Sequence, residues 1–335
     1  MSSPSLPVHL SEPEFDTLHD DVPRWRPLVE PLAARHARPG ESLRALDEGT
    51  VLVVLIGQRA VFKLYPPFMQ GHAAFERATL ALLSSLGAQP LPVATPQLLE
   101  AGEEQGWPWL LMSQLPGQVL TPLWAGLSEP DRCALLQHIG RAMAAAHALP
   151  RERVQALAPL ALAGGDWAAW IAQQRAGCRA RQQRTGLPTH LLDQVETFVS
   201  GPVPMPPPGE TVLLTGEYTP MNLLIDPAQP DRLSGMFDFG DGLLGARQMD
   251  WLGPLVFLAA GHSQRVRALL QAYGAADSGT ANARPAPEAD WRLPALRLLL
   301  LHRYSNLQAQ LRLPGWQTSA SFEALAHRLW PLEPA

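Results

Sequence analysis

The sequence predicts an α+β protein with a bilobal plan, an N-terminal lobe of about five antiparallel strands plus one helix followed by a mostly helical lobe. Three observations indicate this plan. Short runs rich in β-branched residues alternate with turn residues between Leu43 and Tyr65, and helical spacing of apolar residues dominates from Ser128 onward,. Gln114–Gly117 forms a connector between the two regions. A cleft between such lobes is a usual place for a ligand.

Residues 1–42 are rich in proline and charge. They carry one predicted helix, Arg24–His36, in which Trp25, Leu28 and Leu32 recur at helical spacing,. We therefore treat 1–42 as an N-terminal extension with one helix, 43–113 as the N-terminal lobe and 114–335 as the C-terminal lobe.

The N-terminal lobe begins where the apolar period changes from helix to strand. Glu48-Gly49 and Gly57-Gln58 separate three strand-forming runs, and Pro66-Pro67 ends the third because proline cannot donate to a strand ladder,. A helix and a further hairpin follow. The predicted elements are strands Leu43–Asp47, Val51–Ile56 and Ala60–Tyr65, helix His72–Leu86, and strands Gln97–Ala101 and Trp107–Met112.

The C-terminal lobe begins with a helix that Ser128 caps, with Asp131 three residues later as the acid of a capping-box-like pattern,. A cluster of short strands interrupts the helices that follow. The predicted helices are Ser128–Leu149, Asp166–Arg184, Leu187–Val199, Ala246–Ala260, Ser263–Tyr273, Trp291–Leu311 and Ala320–Trp330, and the strands are Val212–Leu214, Leu223–Ile225 and Leu233–Phe237.

Composition excludes several classes of protein. Apolar residues make up 46% of the 335 residues, so disorder throughout is excluded, and a net charge of -5 argues against nucleic acid as the main partner,. No apolar run reaches the roughly 18 residues of a membrane span. The first twenty residues are acidic and do not form a secretory signal, and Cys133 and Cys178 are too few for a disulfide framework,. We expect a cytoplasmic protein.

The cations are distributed unevenly. The chain has 25 arginines and one lysine, Lys63, which lies on the third predicted strand. An arginine is a planar fork of five donors, whereas a lysine is a compact ammonium on a flexible stem. Either the single lysine is a chance of composition, or it occupies a site where a point charge fits and a guanidinium does not.

Acid and amide side chains follow two short strands of the C-terminal lobe. Glu217 precedes Asn222 by five residues, and Asp238 comes sixteen residues after that amide, just before Gly240. Loops at strand ends can bring such oxygens to one point, where they suit Mg²⁺. Acids and amides also make ordinary turns and caps, so this cluster alone leaves both interpretations open.

The same two segments resemble the catalytic and metal loops of the aminoglycoside phosphotransferase family, small-molecule kinases with a protein-kinase-like fold. The family catalytic loop reads His-Gly-Asp, four residues, Asn, whereas this chain has Thr215-Gly216-Glu217, four residues, Asn222. The family metal loop, Ile-Asp-Phe-Gly-Asp, closely matches Phe237–Asp241. Asp250 fits the acid that braces the catalytic loop in the family. The resemblance covers roughly residues 40–310.

The resemblance implies a role for each of these residues in phosphoryl transfer. Lys63 would contact the nucleotide phosphates and Glu76 would orient it; Glu76 is the only acid between Leu64 and Leu99,. Glu76 could instead be an ordinary surface charge beside Arg77. Asp238 and Asn222 would bind Mg²⁺.

The resemblance also implies a site for ATP or GTP. The Gly49 turn would cover the phosphates, and the Leu111–Leu115 connector, with Met112 and Gln114, would offer backbone groups to the base.

Glu217 stands where the family has aspartate. The extra methylene moves the carboxylate by roughly 1 Å, a displacement that can cost about 100-fold in rate. Glu217 could still act as the base after a shift of the backbone, it could reach the metal instead, or transfer could be lost. The expected function is therefore an ATP-dependent phosphotransferase acting on a hydroxyl group; the alternatives are a nucleotide-binding pseudokinase and a relative in fold alone.

The acceptor is expected to be a small molecule such as a sugar, an amino alcohol or an antibiotic. Aminoglycosides are polycations, yet the predicted helix Asp166–Arg184 contains several arginines and no acidic cluster. Trp167 and Trp170 on the same helix are expected in the core, with an acceptor pocket as the alternative. The protein is expected to be a monomer or a homodimer.

Overall fold

The computed structural model describes residues 5–7, 9–215, 218–240, 242–277 and 290–332. These residues divide into two compact units. The first contains the described residues up to Pro90, Ala94–Pro116, and Phe239 with Gly240; the second contains the others. Within these ranges no helix is long and apolar enough to cross a membrane.

The N-terminal residues of the first unit form two helices, α1 (Glu12–His19) and α2 (Val22–Ala34). The prediction of one helix was wrong, because it overlooked a capping box that starts the first. The Ser11 N–H donates to Glu14 at 2.8 Å, and the Ser11 hydroxyl donates to the same carboxylate,. Both helices pack on the sheet described next, and Phe15 and Trp25 share one apolar core with Trp107.

The first unit contains a five-stranded antiparallel sheet in the order β1-β2-β3-β5-β4. The predicted five strands and the helix after the third strand are confirmed. Short turns close the hairpins β1–β2, β2–β3 and β4–β5, so the pairing of these strands follows from local sequence,. The elements are β1 (Leu43–Leu46), β2 (Leu52–Ile56), β3 (Ala60–Leu64), helix α3 (Gln70–Ser85), β4 (Leu98–Glu104) and β5 (Trp107–Ser113).

The second unit is mostly helical, as predicted. Its first half contains one two-residue strand, which sequence reasoning missed, and six helices. They are β6 (Gln118–Val119), α4 (Leu120–Trp124), α5 (Glu129–His147), α6 (Arg151–Gln155), α7 (Trp167–Arg184), α8 (Thr189–Leu192) and α9 (Val195–Val199). The predicted helix over 187–199 is two short helices, α8 and α9.

Four strands and five helices complete the described part of the second unit. They are β7 (Val212–Leu214), β8 (Leu223–Asp226), β9 (Gln229–Met236), β10 (Leu243–Gly245), α10 (Leu252–Phe257), α11 (Ser263–Asp277), α12 (Arg292–Leu301), α13 (Leu307–Gln310) and α14 (Phe322–Leu329). The strands β7 and β10 form an antiparallel pair, and β6, β8 and β9 form a three-stranded sheet.

Helices α5 and α11 pack closely at a glycine. A Cβ at Gly140 of α5 would lie 2.5 Å from the Leu269 carbonyl oxygen of α11, so only glycine permits this approach,. The contact holds the C-terminal end of α5, with His147, next to α11, with Tyr273. Both residues belong to the site described below.

Candidate active site

Lys63 and Glu76 form a buried ion pair in the first unit. Lys63 lies on β3, opposite Val53 of β2 and Leu110 of β5, and Glu76 lies on α3. The Lys63 Nζ lies 3.0 Å from Glu76 Oε1 and 3.1 Å from Oε2. The side chains are 9% and 0% exposed. Charges this deeply buried are tolerated only when they are paired.

Two further groups donate to the Glu76 carboxylate. The Tyr65 hydroxyl donates to Oε2, and the Phe239 N–H donates to Oε1 at 3.3 Å. Tyr65 is 2% exposed and Phe239 is 1% exposed. Sequence reasoning missed Tyr65, although its position two residues after Lys63 on an extended segment places both side chains on one face. Glu76 is thus a buried acceptor rather than a surface charge beside Arg77.

The other nucleotide-site predictions also fall in the first unit. Gly49 lies in the exposed turn between β1 and β2 with φ +108°, a conformation that favours glycine,. Met112 is buried in β5, paired with β3 and β4. The Gln114 N–H donates to the Arg59 carbonyl at 2.8 Å, so this N–H is already engaged. The Gln114 Oε1 is buried with no hydrogen-bond partner in the described part of the chain.

Asn222 and Asp238 lie at one end of the β8–β9 pair in the second unit. Leu223 pairs with Met236, and the Phe237 N–H donates to the Asn222 carbonyl at 3.1 Å. Asn222, just before β8, and Asp238, just after β9, therefore lie at the same end of this strand pair. Asp238 has φ +71°, which residues other than glycine seldom adopt, and such conformations cluster at functional sites,.

These two residues fit a magnesium ion. Among residues 5–7, 9–215, 218–240, 242–277 and 290–332, no three His, Cys, Asp or Glu residues form a metal site by themselves. Magnesium is usually held by one or two protein groups together with substrate phosphates. A carboxylate and an amide oxygen at the same end of one strand pair are donors of that type,.

A buried polar network holds Thr215, the first residue of the predicted catalytic loop. The Thr215 N–H donates to Asp250 Oδ2 at 3.2 Å, and the same oxygen lies 3.0 Å from His147 Nε2. The Tyr273 hydroxyl lies 3.0 Å from His147 Nδ1. Asp250 therefore braces the loop, as the family resemblance implied. His147 is the last residue of α5, and its bonds to residues more than 100 positions away could not be predicted from the local sequence.

Tyr218, the residue after Glu217, is also buried. Burial, and then the charge of Asp250, raise the pKa of the Tyr218 phenol well above its usual value, so the phenol stays protonated,. Gly216, Glu217 and Asp241 lie outside the described residues. The roles expected of Glu217 therefore stay predictions.

Three of the four arginines of α7 bind main-chain carbonyl groups. Arg175 donates to Val199 and Gly201, Arg179 donates to Leu192, and Arg181 donates to Leu300. These bonds join α7 to α8, α9 and α12. They give three of the arginines a structural role that requires no bound ligand.

The two tryptophans at the start of α7 are core residues. Trp167 and Trp170 are stacked with ring centroids 5.0 Å apart and are 4% and 3% exposed. The Trp167 Nε1–H donates to the Pro204 carbonyl at 2.9 Å. The prediction that they belong to the core is confirmed.

Solved structures share this fold across most of the chain. The GDP complex of wild-type aminoglycoside 2'-phosphotransferase-IIIa is 17% identical with a TM-score of 0.57, covering 86% of this chain and 92% of that one. The streptomycin–ATP–APH(2")-IIa ternary complex is 18% identical with a TM-score of 0.56, covering 85% and 93%. Aminoglycoside-3'-phosphotransferase of type VIII is 19% identical with a TM-score of 0.56, covering 82% and 96%. The predicted kinase-like fold is confirmed.

Sequence comparison gives a consistent assignment. No curated protein matches the chain. A family model described as the phosphotransferase enzyme family, APH, matches residues 42–289, from the start of the sheet to beyond α11. Because this match spans well over half of the sequence, the chain belongs to the phosphotransferase enzyme family.

Proposed function

We propose that the chain transfers the γ-phosphate of ATP or GTP to a hydroxyl group of a small molecule. One observation carries the proposal: the only lysine of the chain is buried on β3, with its ammonium bonded to both oxygens of Glu76. Kinase-like enzymes hold nucleotide phosphates with such a pair. Membership of the phosphotransferase enzyme family supports the same reaction class.

In this proposal the side chains mainly bind and orient the nucleotide. Lys63 neutralises phosphate charge and Glu76 keeps its ammonium in position. Asp238 and Asn222 would hold Mg²⁺, which when bound draws charge from the phosphate oxygens. The turn at Gly49 covers the phosphates. The Gln114 N–H is already bonded to the Arg59 carbonyl. We therefore assign contact with the base to the carbonyl groups of the connector, beside Met112, and to the Gln114 side chain.

Glu217 acts as the base. Its carboxylate accepts a hydrogen bond from the acceptor hydroxyl and takes the proton as the new O–P bond forms and the bond to the β-phosphate oxygen breaks. The bond from the Thr215 N–H to Asp250 supports this role, because it anchors the loop two residues before the carboxylate. Because Thr215 is anchored and the Glu217 side chain is one methylene longer than aspartate, the carboxylate of Glu217 lies at a different position from that of the family aspartate.

The acceptor class is a small hydroxyl compound such as a sugar, an amino alcohol or an antibiotic-like molecule. One neighbouring solved structure contains streptomycin and ATP. A polycationic acceptor needs an acidic surface, whereas α7 carries four arginines and its only acid is the capping Asp166. We therefore do not carry the aminoglycoside substrate over to this chain.

A nucleotide-binding pseudokinase is the second candidate function. The observation that favours it is the pair of substitutions in the catalytic loop, Thr215 for histidine and Glu217 for aspartate. Such a protein would use nucleotide to regulate a partner and would keep Lys63, Glu76 and Asp238 without turnover.

ADP release and thermal unfolding separate these functions. Purified protein is mixed with Mg·ATP or Mg·GTP and a panel of sugars, amino alcohols and antibiotics. We expect acceptor-dependent ADP release, and a stabilisation of about 2.7 kcal/mol when the nucleotide is at about 100 times its dissociation constant. Asp238→Asn should abolish the Mg²⁺-dependent part of binding. Asp226→Asn is the matched control, because Asp226 lies at the exposed far end of β8.

Glu217→Asp distinguishes the two candidate functions. If Glu217 is the working base, shortening it should lower the rate by about 100-fold. Stabilisation without turnover for any acceptor, together with activity gained in Glu217→Asp, would favour the pseudokinase. Absence of stabilisation by either nucleotide would contradict both functions.

A further inference from the structure

The Glu76 carboxylate is saturated with donors. A carboxylate has about four lone-pair positions, and here Lys63 uses two, the Tyr65 hydroxyl one and the Phe239 N–H one,. Glu76 is fully buried. Every loss of a donor therefore leaves an acceptor that water cannot reach.

The position of Tyr65 is set by the end of β3. Its N–H donates to the Pro108 carbonyl at 2.8 Å, which extends the pairing of β3 with β5 by one residue. Lys63 and Tyr65 are two residues apart, so both side chains lie on the face that α3 covers. Pro66 then ends the strand. The phenol is thus held by the sheet and not by the helix that carries its acceptor.

Nucleotide binding changes what Glu76 needs. When phosphate oxygens accept hydrogen bonds from Lys63, the ammonium divides its donors between the phosphates and Glu76. A carboxylate buried this deeply then depends on its other donors. Tyr65 is the only other side chain that donates to Glu76 among the hydrogen bonds of the described residues.

We propose that Tyr65 is a positioning residue for nucleotide binding: its hydroxyl keeps Glu76 satisfied and in place while Lys63 engages the phosphates. This inference rests on the proposed function. Tyr65 does not touch the nucleotide, and it acts through Glu76. Removing the hydroxyl should therefore lower the affinity for the nucleotide phosphates and leave the protein folded.

Calorimetric titration of Mg·ATP into the full-length protein tests the proposal. We expect Tyr65→Phe to bind about tenfold more weakly than wild type, the effect of losing one hydrogen bond to a charged group. Tyr304→Phe removes the same atom from an exposed phenol of the second unit, outside the site, and should leave the Mg·ATP affinity within about twofold. Adenosine, which lacks phosphates, should bind wild type and Tyr65→Phe equally, whereas a misfolded variant would lose adenosine as well.

A double-mutant cycle tests whether Tyr65 acts through Glu76. In a Glu76→Ala background, Tyr65→Phe should weaken Mg·ATP no further. Three results would each overturn the role of Tyr65 and leave the proposed function standing. They are equal Mg·ATP affinity of Tyr65→Phe and wild type, full additivity of the two substitutions in the cycle, and a loss of adenosine affinity in Tyr65→Phe as large as its loss of Mg·ATP affinity. If wild type binds neither Mg·ATP nor Mg·GTP, both proposals are overturned.

Discussion

Lys63→Met separates the structural contribution of the buried ion pair from its contribution to nucleotide binding. Methionine keeps an unbranched apolar stem but removes the ammonium, so Glu76 is left fully buried with the Tyr65 hydroxyl and the Phe239 N–H as its donors. Breaking a buried pair on one side typically costs 3–5 kcal/mol. Because two donors remain, we expect a loss of about 3 kcal/mol in the free energy of unfolding.

Urea denaturation followed by tryptophan fluorescence measures this loss, since the first unit contains Trp25, Trp107 and Trp109. The double variant Lys63→Met/Glu76→Gln removes both charges and should recover roughly 1–2 kcal/mol of the loss, because no buried charge then lacks its partner. Neither variant should bind Mg·ATP detectably.

Lys63→Arg is the matched control for charge alone. It keeps the positive charge but adds a planar fork to a packed site, so we expect much of the stability to remain and nucleotide affinity to fall. Wild-type stability in Lys63→Met, with no recovery in the double variant, would refute the reasoning about the pair. Wild-type affinity for Mg·ATP in Lys63→Met would refute the proposed role of the lysine.

Two further predictions concern the second unit. Asp250→Asn weakens the hydrogen bonds that anchor the Thr215 N–H and His147. We therefore expect kcat to fall by about 10- to 100-fold, while the dissociation constant of Mg·ATP stays within about twofold. Equal losses in kcat and in Mg·ATP affinity would contradict a role confined to the catalytic loop. Hydrogen bonds from Arg265 hold the pKa of Glu129 at about 2, so the ionised carboxylate stabilises the fold above pH 4.5 and this contribution is lost as the pH falls toward 2,. Glu129→Gln should lower the free energy of unfolding at pH 7 by less than about 1 kcal/mol, because the carboxylate is half exposed,. The difference in urea midpoint between wild type and this variant should become smaller at pH 3. A difference that grows on acidification would contradict this linkage.

Much of the first unit could be predicted from residues close together in the chain. The turn at Gly57-Gln58 and the proline at Pro66 set the two ends of strand β3. The position of Lys63 between them predicts that it lies on this strand. Glu76 could be predicted as its partner because the family resemblance calls for an acid on the next helix and Glu76 is the only acid there. The Ser11–Glu14 capping box was equally local, and the error there was one of interpretation.

The contacts that complete the site are not local. The Phe239 N–H reaches Glu76 across 163 residues of chain, and His147 reaches Asp250 across 103. No periodicity or turn signal encodes such a pair, because a hydrogen bond between distant residues depends on how whole elements pack. The φ of +71° at Asp238, just beyond the β8–β9 pair, likewise has no signal in the residues beside it.

The sequence by itself determined the five-stranded sheet with its helix, the mostly helical character of the second unit, the two loops that mark the family, and the residues proposed for a phosphate and metal site. These depend on neighbours within about four positions, through side-chain period, caps and turns. Only the tertiary structure decided that Tyr65 completes the Glu76 carboxylate, that His147 and Asp250 hold Thr215, and that three arginines of α7 bind carbonyl groups. Burial makes the difference: a polar group removed from water must find a partner wherever the packed chain supplies one.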